Sequence, residues 1–179
     1  MRITVIFESM FGTTRSVADA IAEGLAPFGT VTVANVNDAG SSDAASTADA
    51  LVVGGPTHVH GMSRPASRQE ARAWADDPAK HVTLDPTAPG TGVREWMETL
   101  GAVPPQIAAF DTRIDIAQIL SGRASTHIEH TLAKRGATAL VPAESFLVSK
   151  QNVLEPDELT RARAWGASVG AALQQSTKG

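Results

Sequence analysis

Apolar and polar positions change rhythm repeatedly along this chain. Residues 3–7, "ITVIF", are uncharged and mostly β-branched, which predicts a short buried strand. Over residues 13–26 the rhythm turns helical: Val17, Ile21 and Leu25 recur every four residues, and Ala18 widens the stripe. Pro27 and Gly29 stop it. "TVTVANV" (30–36) predicts a second strand and "ALVVGG" (50–55) a third. Between them, residues 40–49 are small and polar, a loop or a loose helical turn.

The second half continues the alternation. Residues 64–77 predict a helix with proline near its start, 85–92 break the chain, and 93–100 predict another short helix. "QIAAFDTRI" (106–114) reads as a fourth strand. Residues 124–136 read as a helix ended by glycine, with Ile128 and Leu132 turned inward. "ATALV" and "SFLV" flank Pro142 and predict a fifth strand with a break or an edge. A last helix starts near Pro156, with Leu159, Ala162, Gly166, Val169 and Leu173 on its inner stripe. Gly166 and Gly170 would let that helix lie close to a sheet, or are simply tolerated.

No repeat or linker interrupts this order, so residues 1–179 predict a single α/β domain in three layers. Its doubly wound, parallel, five-stranded sheet would be covered by helices on both faces, in the strand order 2-1-3-4-5. In such sheets a ligand binds beyond the carboxyl ends of the strands, where the order reverses. Those ends are "ESMFGTT", "GGPTHVHGM" and "FDTRI".

Composition narrows the chemistry. A hydrophobic content of 42% supports a real core, and no apolar run reaches the ~18 residues that cross a bilayer. "MRITVIFES" lacks the long apolar centre of a signal peptide, so a cytoplasmic location is expected. Cysteine is absent, which excludes disulfides, thiolate metal sites and cysteine nucleophiles. A net charge of −4 without any strongly basic stretch argues against nucleic-acid binding.

The first strand end carries the clearest chemical signal. Ser9, Gly12, Thr13 and Thr14 stand between a strand and a helix. A helix N-terminus offers free amides and a partial positive charge, Gly12 lets the backbone curl, and the hydroxyls add donors. That suits a phosphate without a lysine; an ordinary helix cap uses the same residue types. With one glycine and no lysine the loop fits neither the Walker pattern nor the dinucleotide fingerprint, so a monophosphate fits best.

"VIFESMFGTTRSVADAIAEGL" resembles the opening strand, phosphate loop and helix of flavodoxins and flavodoxin-like flavoproteins. Ser9, Gly12 and Thr14 match the family's loop, whereas Phe11 replaces a hydroxyl residue. "VVGGPTHVHGM" looks like the second flavin loop and "AAFDTRI" falls where the third begins. The resemblance implies FMN, held at its phosphate by Ser9, Met10, Phe11, Gly12, Thr13 and Thr14. It places the ring between a second loop of Pro56, Thr57, His58, Val59, His60 and Gly61 and a third of Asp111, Thr112 and Arg113.

Two departures from the family stand out. Many flavodoxins sandwich the ring between aromatic side chains; here His58 holds the first such position, and the chain has no tyrosine for the second. Arg64 and Arg113 stand near loops where electron-transfer flavodoxins crowd acidic residues, with Asp111 and Asp115 as counterweights. A guanidinium near the ring would stabilise the reduced anion and raise the potential; alternatively Arg113 pairs with Asp111 or Asp115 at the surface.

The expected function is therefore that of an FMN-binding flavodoxin-like redox protein carrying electrons to a partner protein or a small-molecule acceptor. The alternatives are an FMN-dependent NAD(P)H/quinone-type reductase, and a flavodoxin-fold module that has lost flavin. No side chain reads as an acid–base catalyst. His58 and His60 lack a third ligand, so they do not define a metal site, and His127, Glu129 and His130 read as an exposed helix face. No nucleophile elbow is present. Asp111 could imitate a receiver-domain aspartate, but Glu8 and Lys150 supply that site only loosely. The segment 63–105 exceeds what one crossover helix needs. With Trp74 and Trp96 it would form a lid, a substrate pocket or an oligomer contact, or pack both indoles on the sheet.

Overall fold

A computed structural model describes residues 1–58 and 61–177. Its sheet holds β1 (Arg2–Phe7), β2 (Thr30–Asn35), β3 (Ala50–His58), β4 (Gly61–Met62), β5 (Gln106–Ile114), β6 (Thr138–Ala139) and β7 (Glu144–Val148). The helices are α1 (Thr13–Leu25), α2 (Ser41–Ser46), α3 (Pro65–Ala75), α4 (Val93–Thr99), α5 (Gln118–Ser121), α6 (Ala124–Ala133) and α7 (Glu158–Ser176). The strand order is β2-β1-β3-β5, and a fifth place beside β5 is shared. There β6 pairs with Gln106 and Ile107, and β7 with Phe110 to Ile114, all parallel. Pro142 lies in the gap between the two pieces, where no ladder needs its missing N–H. The five-place order 2-1-3-4-5 thus holds, with a split last strand and the short β4 antiparallel to the end of β3.

Side-chain alternation assigns each strand residue to a face. Ile3, Val5 and Phe7 of β1, with Ala108 and Phe110 of β5, pack beneath α1 and α7. Ile6 of β1, with Ile107 and Ala109 of β5, packs beneath α4 and α6. The helical stripe of α1 is as expected: Val17, Ala18, Ile21 and Leu25 are buried, as are Ile128 and Leu132 of α6.

Helix α7 departs from expectation in phase. Leu159 is 40% exposed, and Glu158 takes the inward place, its carboxylate accepting from the Leu147 amide at 2.8 Å. The glycines of α7 serve a helix contact, not a sheet contact. A Cβ on Gly166 would strike the Ile21 carbonyl of α1, and one on Gly170 would strike the Phe28 ring. Trp96 and Trp74 part company: Trp96 is buried and donates from Nε1 to Ser41 Oγ, while Trp74 stands outside the core. Among the described residues no helix is long and apolar enough to cross a membrane.

Candidate functional site

The carboxyl ends of β1, β3 and β5 lie side by side, and the order reverses between β1 and β3. At the end of β1, Gly12 takes a left-handed conformation (φ 88°), and no atom lies within 4 Å of where a Cβ would stand. Its amide donates to Ser9 Oγ at 3.0 Å, which closes the loop on itself. The first amide to find an intrahelical carbonyl is Ser16, on Gly12 O. The amides of Thr13, Thr14 and Arg15 therefore stand at the open end of α1.

The loop hydroxyls are engaged within the protein. Thr14 Oγ1 shares a 2.7 Å hydrogen bond with Thr112 Oγ1 of β5, both buried, and Thr13 Oγ1 donates to Asn152 Oδ1 at 3.4 Å. Ser9 and Thr14 thus brace the loop between β1 and β5, and the backbone amides are what it offers outward.

The second and third strand ends divide their residues between the cleft and α6. Thr57 Oγ1 accepts from the Ala124 amide (2.9 Å) and Asp111 Oδ2 from the Ser125 amide (2.7 Å), so both fix the first turn of α6. Asp111 is fully buried on that side, and burial raises its pKa against the pull of the Ser125 hydrogen bonds. Arg113 follows the same parity. Its Nη1 donates to Ile114 O, Ile116 O and Ser121 Oγ, and among the described residues it pairs with neither Asp111 nor Asp115. His58 is pressed against the α3 side; burial lowers its pKa, Glu70 opposes that and Arg68 adds to it. Gly61 lies beside the His127 ring. Val59 and His60 fall outside the described residues.

A cavity of about 500 Å³ opens over these strand ends. Met10, Phe11 and Thr13 line it from the first loop, and Pro56, Thr57 and His58 from the second. Thr112 and Arg113 line it from the third. Ser9, Gly12, Thr14, Gly61 and Asp111 do not line it; Ser9, Thr14 and Asp111 are buried, while Gly12 and Gly61 are partly exposed.

Two contributors lie outside the candidate flavin loops, one of them in the segment 63–105 that the sequence offered as a lid, a substrate pocket or an oligomer contact. One is the crossover after β3, which supplies Trp74, Lys80 and Val82; the other is the turn after β7, with Lys150 and Asn152. Neither bears a motif. The excess length of 63–105 is the trace the crossover leaves in the sequence.

Polar contacts anchor the crossover to the loop. Asp85 N donates to Met10 O at 2.7 Å, and the Asp85 carboxylate takes a two-point grip from Arg15 at 2.7 and 2.8 Å. Burial pushes the Asp85 carboxyl up, but hydrogen bonds from Arg15 and Thr87 outweigh it and hold the pKa low. At the base, Glu8 continues the inner face of β1. Its Oε1 accepts from Ser63 Oγ at 2.5 Å and its Oε2 from the Val93 amide at 2.8 Å. Arg68 donates to the same serine and pairs with Glu95 at 3.2 Å. Burial still raises the Glu8 pKa above its ordinary value.

Residues 4–115 match the family model described as a flavodoxin domain, and the chain belongs to that family. Solved structures agree with it over nearly the full length. A flavodoxin from the domain Archaea is 18% identical, with 97% of this chain and 99% of that one covered at a TM-score of 0.64. Oxidised flavodoxin 1 from Bacillus cereus is 17% identical, covering 94% and 97% at 0.64. The metal-soaked Flv1 flavodiiron core from Synechocystis is 16% identical, with 98% of this chain and 36% of that one covered at 0.63. At such identities the likeness defines the fold. No curated protein sequence matches the chain.

Proposed function

We propose that this protein binds FMN at the carboxyl ends of β1, β3 and β5 and carries electrons. The observation that carries the reading is the Gly12 loop. A left-handed glycine with open space above it precedes the free amides of Thr13, Thr14 and Arg15, a cradle for a monophosphate. The adjoining cavity of about 500 Å³ lies within the usual ligand-site range of roughly 300–1,000 Å³. Met10, Phe11, Pro56, Thr57 and His58 supply its inner surface. Phe11, at the family's hydroxyl position, offers the bound group an apolar contact in place of a donor.

The flavin, when bound, supplies the redox chemistry; the chain binds it, shields it from water and sets its surroundings. Ser9 and Thr14 hold the loop in shape, and Thr112 ties it to the third strand end through Thr14. The neutral His58 imidazole gives the second loop a flat, uncharged face.

The test is an FMN titration of the apo-protein, followed by flavin fluorescence and visible absorbance. Saturable binding at micromolar FMN or tighter is expected, a free energy of about 8 kcal/mol. Gly12→Asp sets a carboxylate where the phosphate would lie; the space is open but the left-handed backbone strains a side chain by about 1–2 kcal/mol, so binding is expected to be lost with the fold retained at a modest cost, checked by circular dichroism. No binding of the unaltered chain at ~100 μM, a limit near 5.5 kcal/mol, would end the flavin reading.

A further inference from the structure

The three strand ends build only part of the cavity; its outer wall comes from α3 and the chain that follows it. Trp74 lines that wall and is 43% exposed, whereas Trp96 is 2% exposed. Lys80 Nζ stands 5.3 Å from the Trp74 ring centroid, a cation–π contact that fixes a positive charge against one indole face. Val82 and Ala71 add apolar surface beside the indole.

Charge on the lining is lopsided. Lys80, Arg113 and Lys150 face the single carboxylate of Glu70, and among the described residues none of these cations joins an ion pair. The chain as a whole carries −4, so this positive surface is a local feature. His58, kept neutral by burial, does not alter the balance.

We propose that the wall formed by Trp74, Lys80 and Val82 is a second subsite, for a planar aromatic anion, on the outer side of the same cavity whose inner surface is assigned to FMN. Its standing as a second site rests on the flavin reading. An exposed indole gives a planar ring a surface to stack on, and offset stacking adds to the gain from burial. Lys80 and Lys150 then select ligands by charge, since an anion here meets unpaired cations in a partly enclosed space. A neutral ring of the same shape gains only the stacking. The chemistry favours a small acidic aromatic molecule over the face of a large partner, because the indole lines a cavity and does not crown a protrusion.

Calorimetric titration of the FMN-loaded protein with naphthalene-2-sulfonate tests the site, with naphthalene-2-sulfonamide as the neutral isostere. Saturable binding of the sulfonate is expected, roughly tenfold tighter than the sulfonamide, a difference of about 1.4 kcal/mol. Trp74→Ala is expected to weaken it about tenfold and Trp74→Phe to retain most of it. Lys80→Gln brings the sulfonate down toward the sulfonamide. All three variants change exposed positions and leave the core intact.

Equal affinity for the two probes, indifference to Trp74→Ala, or release of FMN by the sulfonate would overturn the proposal. Release would mean that one pocket serves both ligands. Failure of FMN to load ends the flavin reading separately. In that case a sulfonate isotherm on the unloaded chain that weakens with Trp74→Ala keeps the wall as a binding site.

Discussion

Thr57 and Asp111 carry their oxygens to the same first turn of α6, although both sit in segments that the family resemblance gives to the flavin. Period-two alternation explains Asp111: it continues Ile107 and Ala109 on the α6 face, while Thr112 continues Phe110 on the α1 face. The same rule places Arg113 on the α6 side, where its guanidinium holds the turn that follows β5. Its acceptors there are neutral, so the guanidinium keeps its charge on the cavity lining, with Nε buried and, among the described residues, unpartnered. Arg113→Ala is therefore expected to lower the two-electron potential of the FMN-loaded protein by more than ~30 mV, about 1.4 kcal/mol. Potentials that agree within that margin, read by dye equilibration, would mean that the charge does not reach the flavin. Strand parity was legible in the sequence, so the direction of Asp111 and Arg113 was too. The carbonyls that capture Arg113 were not, because they lie in an irregular turn whose path no pattern encodes.

At the scale of elements, the contact between α1 and α7 decides how closely two helices of one layer can sit. Gly24 and Gly166 let the backbones touch: a Cβ on Gly24 would strike Arg163 O, and one on Gly166 would strike Ile21 O. Intrinsic propensity favours alanine over glycine in a helix by about 1 kcal/mol. Backbone collision outweighs it here, since neither carbonyl can rotate aside. Gly166→Ala is expected to destabilise by about 1–3 kcal/mol in urea unfolding, against the sign that propensity alone gives. A neutral or stabilising result would mean that the helices can separate at little cost. The sequence showed the stripe of α7 but set its first turn one residue late. Hydropathy gives Leu159 the inner place, yet the first turn must also serve the Leu147 amide, and only Glu158 can accept that bond.

For the whole molecule, the order of the main strands and helices was readable from end to end, and with it the edge of the sheet over which the cavity opens. The long crossover was visible only as surplus length, because its anchors are single polar contacts between residues far apart in the chain. Those anchors make the fold sensitive to pH. Burial raises the Glu8 pKa from its ordinary 4.5, so the protonated form suits the folded state better. Its contribution is therefore greatest below pH 4.5 and declines as the pH rises through the folded-state value. Glu8→Gln offers an amide to Ser63 and a carbonyl to the Val93 amide, and it does not titrate. Urea unfolding from pH 4.5 to 8 is expected to show the variant gaining stability relative to wild type as the pH rises. Parallel profiles would mean that Ser63, Val93 and Arg68 compensate the buried charge fully.

Glu8 holds Ser63 with one oxygen and Val93 with the other, so one side chain gathers the two ends of residues 64–92, while Asp85 ties their middle to the first loop. A loop closed at its base in this way is an interchangeable part. Its ends are fixed by the host, and doubling its length costs only about 0.6 kcal/mol in closure entropy. The strands beneath need not change when the loop does. Descendants of such a chain can lengthen, trim or replace the wall that carries Trp74 and Lys80 and so change what enters the cavity, while the machinery below it passes on unaltered as long as Asp85 and its hold on the first loop are kept.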